Sequence, residues 1–240
     1  MVLLPILHKE KVLNGIKNIE GNVISRIYSN NEIKERLQTY AAPYRELMSY
    51  YRCAMMEVST KFNVLDEELS MQYDRNPIEA IKTRLKSPDS IMDKLSRRNL
   101  PISAESIETN LNDIAGVRVI CAYISDIYML RDALLRQDDI TLLQEKDYIR
   151  NPKQNGYRSL HLIVEIPIFL HDKKKLMRVE VQFRTMAMDW WASVEHKLRY
   201  KKPTASNEVN IELKECAEIS ADLDKRLELL RQRTENYGGT

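Results

Sequence analysis

LMRVEVQFR, residues 176–184, alternates apolar and polar side chains from Met177 onward. Because successive side chains of a strand point to opposite faces, this stretch predicts a strand with one apolar and one polar face. A row of polar side chains within a sheet is costly unless it lines a wet site, and the alternative is a solvated edge strand. The polar row consists of Arg178, Glu180, Gln182 and Arg184.

Residues 159–166 show the same division, with His161 on the polar side and Leu162 on the apolar side. The segment that leads into them, DYIRNPKQNGYRSLH at residues 147–161, is a basic loop punctuated by Asn and Gly. It brings together a lysine, an amide, a flexible glycine, a tyrosine and a histidine. Such groups suit a polyanionic nucleotide whose base stacks on an aromatic ring.

A second candidate region is the strand AGVRVICAY, which follows Asp113. Arg118 is a lone cation on this apolar strand, and a buried arginine needs an anion or a stacking partner. Asp113 alone could be a turn residue. Together with Glu180, however, it could hold Mg²⁺, which prefers one or two carboxylates plus phosphate oxygens.

A third candidate region is basic and precedes the other two. Residues 82–98 carry six basic side chains against two Asp. Arg84 and Lys86 share one face of a predicted strand, and Ser90 lies at a helix N-terminus, where free N–H groups favour phosphate. Lys94 follows one turn later, with Arg97 beyond it. The alternative is a solvated basic helix.

The remaining periodicities predict an α/β (α+β) fold, a mixed sheet of about five strands flanked by helices. Pro43 is expected to open a second helix after residues 32–42, and Ser125 or Asp126 to cap a later one. Strands are predicted at residues 78–86, 116–123, 139–147, 159–166 and 176–184, and helices at residues 32–42, 43–69, 89–98, 125–137, 186–200 and 208–236.

Composition narrows the functional class. The chain has 240 residues, is 43% hydrophobic and contains only six Gly, which predicts a sizeable core and argues against disorder. A net charge of +2 argues against a general nucleic-acid binder, whereas the local basic segment suggests a small anionic ligand. Three scattered Cys indicate reduced thiols. Since no apolar run reaches about 18 residues, we expect a cytoplasmic protein.

Four motifs occur in an order that resembles a known family. They are R-x-K-x-x-x-S-I-x-x-K at residues 84–94, D-I-A-G-x-R at 113–118, N-G-Y-x-S-x-H at 155–161, and E-x-Q-x-R-T followed by W-A-x-x-E-H-K at 180–197. This order resembles the RelA/SpoT-type (p)ppGpp synthetase domain in its short form, the small alarmone synthetases. The resemblance covers roughly residues 43–202.

The resemblance implies a nucleotidyltransferase-like fold and transfer of pyrophosphate from ATP to the ribose 3′-OH of GDP or GTP, releasing AMP. It implies catalytic and Mg²⁺-binding roles for Asp113 and Glu180. The ATP-binding residues that it implies are Arg84, Lys86, Ser90, Lys94, Arg97 and Arg118. The implied GDP/GTP-binding residues are Lys153, Asn155, Tyr157, Ser159, His161, Gln182 and Asp189.

We expect residues 1–42 to be an N-terminal helical extension, 43–202 the synthetase domain, and 203–240 a C-terminal helix that mediates oligomerisation. The terminal helices, at residues 43–69 and 208–236, are expected to leave apolar stripes spare for other subunits of a homotetramer. The alternative is that these helices simply cover the sheet. His171-Asp172 is read as a coincidence and not as a hydrolase site, so the protein is expected to be a synthetase only.

Two other functions are kept open at this point. One is an oligomeric regulatory module that binds single-stranded RNA, with catalysis secondary. The other is transfer of AMP, against which the tyrosine-containing loop at residues 155–161 speaks. Single-stranded RNA or the alarmone itself is a possible regulatory ligand of the enzyme.

Overall fold

The computed structural model describes residues 31–73, 75–201 and 207–237. The described helices are α1 (Asn31–Tyr73), α2 (Pro88–Arg97), α3 (Ala104–Asn110), α4 (Ile124–Leu135), α5 (Met186–Lys201) and α6 (Asn207–Tyr237). The described strands are β1 (Ile78–Leu85), β2 (Ala115–Cys121), β3 (Thr141–Asp147), β4 (Leu160–Phe169) and β5 (Lys174–Thr185).

The five strands form one mixed sheet in the order β1-β2-β5-β4-β3. β2 and β5 are parallel, and the other three neighbouring pairs are antiparallel. The predicted fold class is therefore confirmed. β5 lies at the centre of the sheet, so the alternative of a solvated edge strand is excluded.

The apolar face of the sheet is covered by α1. Val181 and Phe183 of β5 are fully buried, and Phe62 of α1 packs edge-on against Phe183 with ring centroids 5.6 Å apart. Tyr51 and Val58 of α1 are buried as well. The expectation that this stripe stays spare for another subunit is therefore wrong, because the sheet's own apolar face occupies it.

The chain divides into two units, residues 1–46 and 47–240. In the first unit only residues 31–46 are described, and they are helical. Most of the predicted N-terminal extension, residues 1–30, lies outside the described residues. The predicted break before Pro43 is wrong, because α1 runs through it. A proline inside a helix costs about 3 kcal/mol, and burial of the following stripe offsets that cost.

Helix starts in the second unit follow serine caps at two places. Ser87 accepts from the backbone N–H of Ser90 at the start of α2, and Ser103 caps α3 in the same way. The predicted cap of α4 is wrong, since Tyr123 occupies that position without a side-chain bond. Glu228 of α6 instead accepts from the N–H of Ser125 at 3.2 Å. A carboxylate from a distant helix thus supplies what the local sequence does not.

The C-terminal helix α6 presents two different stripes. Its inner side buries Leu213, Ala217, Ser220 and Asp224. The outer side exposes apolar residues: Ile211, Ile219, Leu223, Leu227, Leu229 and Leu230. Within the described ranges, no helix combines the length and apolar character that a membrane span requires.

Candidate active site

The polar face of the sheet gathers charged residues from neighbouring strands. Arg118 of β2 lies between Lys82 of β1 and Gln182 of β5, and Gln182 lies opposite His161 of β4. Residues paired across neighbouring strands point to the same side. Glu180 joins them two positions before Gln182. Side chains from four strands therefore converge opposite the core.

Asp113, just before β2, is held by two lysines. Lys86 Nζ lies 3.0 Å from its Oδ2, and Lys94 Nζ of α2 lies 2.7 Å from its Oδ1. Burial favours the neutral acid, but hydrogen bonds and charge from Lys94 and Lys86 outweigh it and keep the pKa of Asp113 below its usual value. The carboxylate is therefore charged at neutral pH and gathers cations at this end of the sheet.

Glu180 on β5 is the second carboxylate of the polar face. His161 Nδ1 lies 3.2 Å from its Oε1, and Gln182 Nε2 donates to its Oε2 at 2.9 Å. Burial opposes its ionisation, yet the contacts with His161 and Gln182 outweigh burial and lower the pKa of Glu180. The negative charge of Asp113 acts in the opposite direction, as expected for electrostatic repulsion between two carboxylates.

That repulsion bears on metal binding. Two carboxylates near one another are a donor set that Mg²⁺ takes when phosphate oxygens complete its shell. In the part of the chain that the structure describes, no group of three His, Cys, Asp or Glu side chains could hold a metal ion. Asp113 and Glu180 therefore fit a cation that arrives with a phosphate ligand, and they do not form a closed protein site.

A directed chain of hydrogen bonds leads to Glu180. Arg184 Nη2 donates to the Tyr157 hydroxyl at 2.9 Å, and that hydroxyl lies 2.8 Å from His161 Nε2. An arginine can only donate and an ionised carboxylate can only accept. Every link is satisfied when Tyr157 donates to Nε2 and His161 donates from Nδ1 to Glu180. The chain thus holds the tyrosine ring, the imidazole and the carboxylate in one arrangement.

The loop before β4 adds an aromatic cluster above this chain. Tyr148 packs edge-on against Tyr157 and against His161, with ring centroids 6.0 and 5.4 Å apart. Lys153 Nζ lies 4.7 Å from the ring centroids of both tyrosines. The attraction between a cation and the face of an aromatic ring holds the Lys153 ammonium close to both tyrosines.

Asp189 at the start of α5 collects three cations. Arg118 Nη1 and Arg184 Nη1 each lie 3.0 Å from its Oδ1, and Lys82 Nζ lies 2.9 Å from its Oδ2. Burial raises the pKa of this carboxyl, but the combined effect of Lys82, Arg118 and Arg184 is larger, so the pKa lies below its usual value. Asp189 therefore anchors the arginine-rich centre of the polar face.

Other predicted site residues have separate surroundings. Ser90 lies at the N-terminus of α2, where its hydroxyl accepts from that of Ser87 at 2.8 Å. Arg97 lies at the exposed end of the same helix and donates to the Asp93 carbonyl. Arg84 is exposed on β1.

Two residues of the loop motif are bound within the protein. The Ser159 hydroxyl is fully buried and donates to the Phe183 carbonyl at 2.8 Å. Asn155 donates from its amide to Glu195 of α5 and accepts from the Tyr157 N–H. These contacts shape the loop around Tyr157.

Sequence reasoning gave no role to Lys82, Tyr148 or Arg184, which the structure places among the site side chains. A signal existed for each. Arg184 is on the polar row of β5, Tyr148 lies in the aromatic loop, and Lys82 shares a strand face with Arg84. What the sequence does not reveal is which lysines and arginines bind the same carboxylate, Asp189.

The chain is similar in sequence to known proteins. A model of the region found in RelA/SpoT proteins matches residues 83–205. The chain is 41% identical to GTP pyrophosphokinase YwaC of Bacillus subtilis over 192 residues, 80% of this chain and 91% of that protein. It is 35% identical to GTP pyrophosphokinase YjbM of the same organism, over 75% of this chain and 85% of that one.

Solved structures agree in fold. The small alarmone synthetase 2 from Bacillus subtilis superimposes with a TM-score of 0.73 at 40% identity, over 79% of this chain and 98% of that one. The small alarmone synthetase 1 from the same organism, bound to its product pppGpp, gives a TM-score of 0.73 at 33% identity, over 80% and 98%. From these matches in sequence and fold, the chain belongs to the RelA/SpoT family and is similar to its small alarmone synthetases.

Proposed function

We propose that this chain is a GTP pyrophosphokinase that transfers pyrophosphate from ATP to the ribose 3′-OH of GDP or GTP, releasing AMP and making (p)ppGpp. The observation that carries the proposal is the presence of two groups on one face. One is Asp113 with its bound lysines, and the other is the series of hydrogen bonds from Tyr157 through His161 to Glu180. It is supported by relatives named GTP pyrophosphokinases and by a similar enzyme bound to its product pppGpp.

ATP is assigned to the β1, β2 and α2 side of the face. Lys86 and Lys94 bring two positive charges to the same point and would share them with the phosphates. Ser90 adds the N-terminal end of a ten-residue helix, and Arg97 lies farther along it. Arg84 and Arg118 would flank the adenine, because a planar guanidinium can stack on a base.

Asp113 and Glu180 would hold a Mg²⁺ ion. When bound, the metal would neutralise charge on the group being transferred. The lysines would do the same from the other side, since phosphoryl-type transfer depends mainly on positioning and charge neutralisation. Release of Lys86 and Lys94 from Asp113 toward the phosphates would leave that carboxylate available.

Glu180 is assigned to the acceptor hydroxyl. Its lowered pKa keeps it ionised at neutral pH, so it can accept a hydrogen bond from the 3′-OH and orient or deprotonate it. His161 holds the carboxylate from the side, and Gln182 holds its other oxygen. Two fixed partners reduce the number of positions that the carboxylate can take.

The guanine nucleotide is assigned to the loop before β4. Tyr157 would stack on the base, which would move the Lys153 ammonium off the ring toward the acceptor phosphates, near His161. Asp189 could accept from guanine N1–H and the exocyclic amine once one of its cations turns away. Asn155, Ser159 and Gln182 would complete the acceptor site, chiefly by shaping it.

The proposal extends to assembly and surroundings. Residues 43–202 would be the synthetase domain, residues 203–240 an oligomerisation helix, and the enzyme a cytoplasmic homotetramer. The exposed apolar stripe of α6 supports this assembly. Single-stranded RNA or alarmone would be a regulatory ligand of the enzyme and not its substrate.

The test is a product assay. Purified protein is incubated with ATP and either GDP or GTP, with Mg²⁺ present or chelated, and the products are resolved by anion exchange. We expect AMP and a guanine nucleotide of higher charge to form together, and only with Mg²⁺. AMP without a new guanine nucleotide would refute the proposal.

A further inference from the structure

The loop that carries Tyr157 rests on the C-terminal helix. Gly156 has a φ of 86°, a backbone conformation that side-chain-bearing residues rarely adopt. A Cβ built on Gly156 would lie only 2.4 Å from the Cβ of Ala217 on α6. The loop and the helix therefore touch at backbone distance, and neither position has room for a larger residue.

One residue beyond Tyr157, a buried ion pair joins the same two elements. Arg158 Nη1 donates to Asp224 Oδ2 of α6 at 3.0 Å, and the two residues are 8% and 4% exposed. The Thr185 hydroxyl donates to the same oxygen at 3.0 Å. Thr185 directly follows Arg184 on β5. Asp224 thus ties together both segments that hold the Tyr157 hydroxyl.

The tyrosine ring itself lies against this junction. Tyr157 packs on a small buried cluster formed by Trp191 and Ala192 of α5 and Ala217 of α6. The indole N–H of Trp191 donates to the Leu213 carbonyl at 2.9 Å, which fixes α5 to α6. The direction of the ring therefore depends on where α6 lies.

We infer that α6 positions the guanine site, with Asp224 and Ala217 as the residues that set the loop and the ring of Tyr157. This rests on the proposed function, which places guanine on Tyr157. Removing one partner of a buried ion pair leaves the other charge uncompensated, so a change at Asp224 acts directly on Arg158, the residue next to Tyr157. The described contacts of Asp113, Lys86 and Lys94 on the ATP side involve no residue of α6. A disturbed α6 should hence weaken guanine binding selectively.

The experiment compares Asp224→Asn with Glu228→Gln. Both changes remove a carboxylate from α6. Among the described residues, however, Glu228 accepts hydrogen bonds from Ser125 and Arg231 and none from the loop that carries Tyr157. For Asp224→Asn we expect the KM for GDP to rise about tenfold, as for loss of a charged hydrogen bond. The KM for ATP should change less than about twofold, and Glu228→Gln should leave both constants unchanged.

Ala217→Leu provides a second route that leaves the ion pair intact. It should also raise the KM for GDP and spare that for ATP, because the added bulk presses on Gly156 and Tyr157. Equal rises in both KM values, or a lower melting temperature with both KM values unchanged, would overturn the inference. If Asp224→Asn does not fold, Ala217→Leu decides alone. A wild-type protein that makes no product would instead refute the proposed function, and calorimetric titration with GDP would still test the inference.

Discussion

Among single residues, Glu180 matters most to the proposed reaction, together with the hydrogen bonds that fix its carboxylate. The hydrogen bonds run from Arg184 through Tyr157 and His161 to the carboxylate, and the donor at one end and the acceptor at the other set their direction. In the proposed reaction, a carboxylate held in this way would accept a hydrogen bond from the substrate hydroxyl without reorganising. Pre-set polarity of this kind is usually the largest contribution to such catalysis.

Glu180→Gln should reduce turnover by about 10²–10⁴-fold, because it removes the acceptor for the 3′-OH and one metal ligand. The measurement is kcat for alarmone synthesis, with circular dichroism to show that the fold is kept. Glu165→Gln is the matched control, since Glu165 lies on β4 and pairs only weakly with Arg178 at 4.0 Å. A Glu180→Gln protein that keeps half of wild-type turnover would remove this carboxylate from the mechanism.

Tyr157→Ala should weaken the binding of the guanine nucleotide far more than the binding of ATP. Stacking on an aromatic side chain is worth about 1–3 kcal/mol per base, which corresponds to a rise in the KM for GDP of about five- to 150-fold. Steady-state kinetics with each substrate varied in turn measures the effect. Tyr128→Phe is the control, because the Tyr128 hydroxyl donates to Asp147 and takes no part in the hydrogen bonds that lead to Glu180. A larger effect on ATP would contradict the assignment.

Much of the site was predictable at this scale because strand alternation alone separates Glu180 and Gln182 from the core. Asp189 shows where such reasoning ends. Its three cations come from β1, β2 and β5, at sequence separations of 107, 71 and 5 residues. No local pattern encodes which of many lysines and arginines will meet one carboxylate. The same holds for Tyr148, whose role depends on how the loop folds back.

At the scale of the element, helices were placed well wherever the apolar period and the caps agreed. α2 and α5 begin within a few residues of their predicted starts because Pro88 and the end of β5 mark them. The predicted cap of α4 was wrong because Glu228 of α6 accepts the hydrogen bond from the backbone N–H of Ser125 at the start of this helix. α1 departed at Pro43 because burial of the later turns outweighs one lost backbone hydrogen bond. Tertiary contacts of this sort lie outside any short window of sequence.

The start of α4 is also anchored by an ion pair that tests this element's packing. Asp126 is 1% exposed and is held by both terminal nitrogens of Arg75, at 2.9 and 2.6 Å. Arg75→Met should lower the free energy of unfolding by about 3–5 kcal/mol, because it leaves a buried charge unpaired. Urea unfolding measures it. The double variant Arg75→Met with Asp126→Leu should recover much of the loss, and a purely additive result would contradict the reasoning.

At the scale of the whole molecule, the exposed apolar stripe of α6 predicts assembly. Large side chains such as Ile219, which is 70% exposed, are costly in water when they form a contiguous patch. Light scattering at micromolar concentration should give about four times the 28.2 kDa of one chain. Leu223→Glu with Leu230→Glu should shift the mass toward smaller species. A wild-type mass near that of one chain would refute the assembly, and a dimer mass would refute only the tetramer.

In the proposed reaction a pyrophosphoryl group, and not AMP, moves to the guanine nucleotide. This transfer is tested most directly with ATP carrying ³²P at either the γ or the α position, incubated with GDP, Mg²⁺ and the full chain. We predict that the γ label appears in the new guanine nucleotide and the α label appears only in AMP. An α label in the guanine product, or a γ label released as free phosphate or pyrophosphate, would contradict the account.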